Sequence, residues 1–220
     1  MTLDTTLDTL DTKETTFALP GHDINLLLVR DIEQLITDPG DAEKVPCWAD
    51  IWPAAMGLAR WIWENLRFDG DELIELGAGL GLPGVVCGLR GAKVTFSDFN
   101  PTALELAAAN AARNQLAGWS TLRADWRTYQ PPKQYPWVLG SDIFYDPQLN
   151  PHLLRLIPAL LSPGGCFLAA HPGRPASNEF LAALKEKLPL AEEREALVPV
   201  TIDDPYFPYY EIKIHYFKTF

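Results

Sequence analysis

The chain has 220 residues, 47% hydrophobic and 11% aromatic, enough apolar material for one globular domain with a substantial core. Its formal charge of −11, with the basic residues scattered, disfavours nucleic acid as a partner, because phosphate neutralisation needs a basic face. Cys47, Cys87 and Cys166 are too widely spaced for a zinc site. There is no apolar signal core and no run of about 18 apolar residues, so a cytoplasmic chain away from membranes, monomeric or weakly homo-oligomeric, is expected.

Residues 1–16 repeat Thr-Leu-Asp-Thr at 2–5, 6–9 and 9–12 and read as a polar, flexible tail before a single domain over 17–220. Within it, 17–45 forms an N-terminal strand extension. Phe17-Ala-Leu19 and Ile24 to Val29 flank Pro20-Gly21-His22-Asp23 as a strand–turn–strand, and Asp38-Pro-Gly-Asp41 is a turn. Pro53 opens a helix whose Ala55, Leu58, Ala59, Ile62 and Leu66 fall at helical spacing. Strands and helices then alternate. Strands are predicted at 72–76, 93–97, 120–124, 135–140 and 165–170, with helices at 83–90, 101–114, 149–161 and 177–188. Two longer strands close the chain, roughly 196–202 and 209–217. This order predicts an α/β, Rossmann-like, doubly wound seven-stranded sheet. It is mostly parallel, with an antiparallel C-terminal hairpin and the small N-terminal strand–turn–strand beside it.

Chemistry-bearing residues gather at the carboxyl ends of the predicted strands. The first parallel strand runs through Glu75 into Gly77-Ala-Gly79-Leu-Gly81 and then a helix, an arrangement in which bare backbone approaches a ligand at a helix N-terminus. Counted from Gly77, the dinucleotide spacing Gly-x-Gly-x-x-Gly is not met: Leu82 stands third and the next glycine is Gly84. The second strand ends in Asp98, placed to accept both hydroxyls of a ribose or, alternatively, to cap the helix after Pro101. The third ends in Asp125-Trp126, suited to an adenine edge and face, or else a surface carboxylate and a core indole. The fourth ends in Ser141-Asp142-Ile-Phe-Tyr145-Asp146, two carboxylates, a hydroxyl and a phenol that either frame a reacting centre or merely turn the chain.

Taken in order, Glu75 to Gly81, Asp98, Asp125-Trp126 and the turn Pro163-Gly-Gly165 resemble the motifs of class I, seven-β-strand S-adenosylmethionine methyltransferases. The likeness covers nearly all of the chain after about residue 45. More narrowly, Trp52-Pro-Ala-Ala-x-x-Leu58-Ala with Asp142-x-x-Tyr145 is similar to methyltransferase family 16, a group of protein lysine methyltransferases. His171-Pro-Gly-Arg-Pro175 resembles the Asp-Pro-Gly-Arg-Pro stretch of the branch acting on the electron transfer flavoprotein β-subunit, with histidine in place of aspartate.

The resemblance implies S-adenosyl-L-methionine as cofactor and the lysine of a protein as substrate. Gly77, Gly79 and Gly81 would line the methionine portion beside Glu75, with Trp52 covering its end and Ser141 nearby. Asp98 would hold the ribose, and Asp125 and Trp126 the adenine. Asp142 and Tyr145 would be the catalytic pair at the acceptor channel. By its residues, Arg174 reads as satisfying loop carbonyls or a carboxylate rather than substrate. Of the tryptophans at 48, 52, 61 and 63, only Trp52 reads as part of a pocket. The same cofactor half would serve a small-molecule N- or O-methyltransferase, and a non-catalytic nucleotide-fold interaction module and a dinucleotide oxidoreductase are the other readings.

Overall fold

The computed structural model describes residues 7–36 and 45–220. The turn expected at Asp38 to Asp41 and the first residues of the expected tail lie outside the described residues. An antiparallel hairpin comes first, β1 (Thr12–Leu19) and β2 (His22–Val29), turning at Pro20-Gly21. Order therefore begins earlier than the polar composition suggested, since Thr12 to Thr16 pair with Val29 to Asn25 inside the stretch read as tail. The reason is that β1 is half exposed. Only Phe17 and Leu19 are buried, so most of the strand lacks the apolar alternation that marks a strand in sequence.

The main body follows the predicted order. It comprises α1 (Pro53–Asn65), β3 (Glu72–Leu76), α2 (Leu82–Leu89), β4 (Lys93–Asp98), α3 (Pro101–Arg113), β5 (Trp119–Arg123), β6 (Tyr135–Ser141), α4 (Asn150–Leu160), β7 (Leu161–His171), α5 (Pro175–Lys185), β8 (Leu190–Thr201) and β9 (Tyr209–Thr219). The seven strands run β5-β4-β3-β6-β7-β9-β8, parallel from β5 to β7, with β9 antiparallel to both its neighbours. The last strand of the chain thus inserts between β7 and β8 instead of forming the edge itself. Successive residues alternate between two cores, as strand geometry demands. Leu73 and Leu168 pack with α1, α2 and α3 on one face. Ile74 and Phe167 pack with α4 and α5 on the other.

Strand order reverses between β3 and β6, and in open α/β sheets ligands bind at that switch point, beyond the carboxyl ends of the strands. The N-terminal hairpin is fastened close by. Asn110 on α3 exchanges hydrogen bonds with the backbone of Leu27 (2.6 and 3.1 Å), and Asn114, one turn on, does the same with Asn25 (3.0 and 2.8 Å). Two helix amides thereby stand in for a neighbouring strand. Asn110 also donates to the Leu80 carbonyl at 2.9 Å, which ties the hairpin to the glycine loop.

Gly91, between α2 and β4, has φ +102°, and a Cβ there would run into the Phe68 carbonyl oxygen. Both the left-handed backbone and the clash with fixed backbone oppose a side chain. Gly91→Ala is expected to destabilise the fold by about 3 kcal/mol, a fall of roughly 8 °C in Tm by scanning calorimetry. An unchanged Tm would refute this.

Candidate active site

The polar residues singled out at the strand ends line one cavity of about 390 Å³ at the switch point, as do Trp48, Leu80, Phe99 and Arg174; the exception is Asp146, which turns the chain by accepting from Gln148 N–H at 2.8 Å. That volume is in the range of small-ligand sites. Its floor is the loop after β3, where Gly77, Gly79 and Gly81 all have positive φ (+60°, +53° and +77°). At Gly81, which caps α2, a Cβ would also press on the Phe96 ring at 2.9 Å, so only glycine closes this turn without strain.

Counted from Gly79, the glycines at 79, 81 and 84 do meet the dinucleotide spacing. The structure shows Gly84 serving helix–strand packing: a Cβ there would overlap the Glu75 carboxylate and the Phe96 ring. The glycines alone therefore do not separate a dinucleotide from another adenosine ligand.

Glu75 is fully enclosed beneath α2 and accepts a hydrogen bond from Gly84 N–H at 3.1 Å. Burial raises its carboxyl pKa from 4.5 to about 8, with Gly84 opposing and Asp98 adding to the rise. A group that holds its proton more tightly when folded contributes stability below its unfolded pKa and loses it as pH climbs through the folded one. Glu75→Gln keeps an acceptor for Gly84 and removes the ionisation. Its Tm advantage over the parent is therefore expected to grow between about pH 5 and about pH 8; a pH-independent difference would contradict this.

Asp98, at the end of β4, is not the helix cap. Asn100 caps α3, its Oδ1 accepting from Thr102 N–H at 2.8 Å. The Asp98 carboxylate accepts from Gly79 N–H at 3.0 Å and Asn100 N–H at 2.9 Å, which fixes the glycine loop against β4. Burial pushes its pKa up against these bonds. Asp125 is more engaged than expected: Arg127 grips both its oxygens at 2.9–3.0 Å and holds its pKa down. Trp126 lies against Gly77, in a segment held by Arg155, which donates to the Trp126 carbonyl at 2.9 Å. The buried Trp126 Nε1 and Ser141 Oγ have no hydrogen-bond partner among the described residues. Both residues line the cavity, so a ligand there can supply the missing partners.

At the end of β6, Asp142 adopts φ +52°, uncommon for any residue but glycine and often stored at functional sites. Its side chain is 7% exposed and ion-paired with Arg174. Burial raises its carboxyl pKa while Arg174 lowers it, burial being the larger effect. Arg174 does satisfy a carboxylate, but that carboxylate is the candidate catalytic one, and Arg174 faces the cavity. Sequence alone could not reveal this, since 32 residues separate the pair. Tyr145 stands at the mouth, its phenol pushed up to about 12 by burial and by Cys47 and three nearby carboxylates. Trp52 is half exposed there, its indole donating to the Cys47 carbonyl at 2.6 Å. Trp48, read as core, instead lines the cavity, because the 3-10 turn Cys47–Ala49 carries it over Gly79.

His171 fixes the loop that presents Arg174. Its Nδ1 accepts from Gly173 N–H at 3.1 Å, which leaves Nε2 protonated to donate to His215 Nε2 at 3.0 Å. His215 then carries its proton on Nδ1, 3.0 Å from Glu195. Desolvation holds both imidazoles below their ordinary pKa, His171 at about 4.

No helix of the described residues is long and apolar enough to cross a membrane. Among solved structures the fold resembles a T. thermophilus 16S rRNA methyltransferase (TM-score 0.66, 15% identity, 95% of this chain and 51% of that one). It also resembles the N-methyltransferase NodS of Bradyrhizobium japonicum (TM-score 0.61, 14% identity, 86% and 96%). By sequence the chain is 34% identical to the histone-arginine methyltransferase METTL23 of Rattus norvegicus over 59% of this chain and 57% of that protein. It is 32% identical to the protein N-lysine methyltransferase METTL21A of Danio rerio over 69% of this chain and 73% of that protein. The matches span 57%, 45% and 42% of the METTL23 proteins of Rattus norvegicus, Xenopus laevis and Mus musculus, about half their length. Residues 35–187 match the family described as lysine methyltransferase, and the chain belongs to that family.

Proposed function

We propose that the protein is an S-adenosylmethionine-dependent methyltransferase that methylates a lysine side chain of a protein substrate. One observation carries the reading: the desolvated carboxyl groups of Asp98 and Asp142 converge on one cavity, beside the enclosed Glu75, and its walls hold unpartnered donors. Such a site favours a ligand that brings positive charge, and both the cofactor and the acceptor amine do.

The residues fit the cofactor in kind. Asp98 would accept from the ribose, the glycine loop would lie against the methionine portion beside Glu75, and Trp126 would cover the adenine. Trp52 and Ser141 would close the methionine end. Asp125 would serve the adenine mainly through its backbone and Arg127, since its carboxylate is already gripped. The cofactor, when bound, supplies a methyl group on a positively charged sulfur.

The protein's own part is alignment, which accounts for much of the rate in a direct displacement. Asp142 takes the acceptor ammonium in exchange for Arg174 and orients it. Tyr145 stays protonated at neutral pH, given its raised pKa of about 12, and donates a hydrogen bond at the mouth. A lysine, with a reference pKa of about 10.4, loses its proton to solvent before attack, and the half-buried mouth leaves it a path. Titration calorimetry is expected to show binding of S-adenosylmethionine and none of NAD; preference for NAD would overturn the reading.

A further inference from the structure

The β8–β9 hairpin lies outside the cavity and has no part in this chemistry. It packs one face on α1 through Val198, Val200 and Ile212. Its other face and its tip are open, and they carry large apolar side chains: Leu197 is 62% exposed, Tyr206 84%, Phe207 68% and Tyr209 59%. Other large apolar side chains are exposed singly elsewhere, but four on one hairpin form the kind of group that marks a binding surface.

The tip is also rigid. Asp204 Oδ1 accepts from both Tyr206 N–H (2.7 Å) and Phe207 N–H (2.9 Å). Ile202 N–H donates to the Pro208 carbonyl at 3.0 Å, closing the loop between the paired residues Thr201 and Tyr209. Pro205 and Pro208 restrict the backbone further. The aromatic rings are thus held out towards solvent before any partner arrives, and little ordering entropy remains to oppose binding.

Charge says what the partner is. Residues 202–212, the tip and the strand ends beside it, include Asp203, Asp204 and Glu211 and no cation; Lys213 follows at the foot, beside Glu211 and Gly173. Acidic groups interleaved with exposed aromatic faces suit guanidinium and ammonium side chains, which pair with the carboxylates and stack on the rings. Position says why. A shallow depression between Tyr209, Leu197 and the Pro172-Gly173 turn lies at the foot of the hairpin, and the next residue, Arg174, lines the catalytic cavity.

We propose that the open tip of the β8–β9 hairpin docks a lysine- and arginine-rich segment of the acceptor protein beside the cavity. The proposal rests on the methyltransferase reading for its purpose, but not for its test. The full chain, saturated with S-adenosylhomocysteine, is titrated into a fluorescein-labelled peptide with a central lysine flanked by arginines, and into its counterpart with flanking glutamates. Anisotropy is expected to show the arginine peptide bound at least about tenfold more tightly. The Tyr206→Ser/Phe207→Ser variant should lose about tenfold in affinity for it, and Asp203→Lys several-fold. Calorimetric binding of S-adenosylhomocysteine should be unchanged in both. Equal binding of the two peptides, or no loss in the variants, would overturn the docking surface. So would light scattering that shows a dimer dissolved by the same substitutions, since a second copy would then own the face. Failure of the parent chain to bind S-adenosylhomocysteine would instead refute the methyltransferase reading, and the peptide titrations would still be scored.

Discussion

Replacing Asp142 with asparagine is expected to lower methyl transfer by about a hundredfold or more while cofactor affinity stays within about twofold. Asparagine matches aspartate in volume and is among the few residues that accept the positive φ of +52° at this position, so the turn after β6 should survive. What is lost is the negative charge. Arg174 loses its ion-pair partner, and an incoming ammonium meets a neutral amide and an unpaired guanidinium instead of a carboxylate. In the proposed reaction alignment is the protein's main contribution, so losing the group that would orient the nucleophile falls on turnover. Steady-state transfer of labelled methyl, beside calorimetry with S-adenosylhomocysteine, checks the split. A variant with full turnover would remove Asp142 from the catalytic role.

Asp98→Ala should do the opposite, raising the cofactor Kd by about fiftyfold or more. Two half-buried N–H groups, those of Gly79 and Asn100, depend on this carboxylate, and a fully buried donor left unsatisfied would cost about 1–3 kcal/mol, an upper bound for each here. The glycine loop then loses its tether to β4 in addition to the proposed ribose contact. Asp98→Asn retains one acceptor and is expected to fall between the parent and the alanine variant. Calorimetry measures both, and an alanine variant that binds like the parent would contradict the assignment.

The parts of the site legible in sequence are those carried by local pattern. Buried parallel strands read as short apolar runs, and a doubly wound sheet puts their carboxyl ends on one edge. The strand pattern alone therefore brings Glu75, Asp98, Asp125 and Asp142 together. Contacts between distant segments left no such trace. Asn110 and Asn114 look like ordinary polar positions of an alanine-rich helix, yet they hold the N-terminal hairpin. Arg174 looks like a loop residue until the fold sets it on Asp142. The half-exposed threonine strand β1 and the insertion of β9 between β7 and β8 were equally hidden, because neither depends on a repeating apolar pattern. His171 shows the intermediate case. Its departure from the aspartate of the similar stretch was visible, but its reason, the paired imidazole of His215, lies on another strand.

The most direct test of the central claim is transfer of labelled methyl from S-adenosylmethionine into the proteins of a cell lysate, resolved by size and localised by mass spectrometry. Label is expected on lysine in one or a few protein bands, abolished by Asp142→Asn. Label confined to small metabolites, or to arginine, would contradict it.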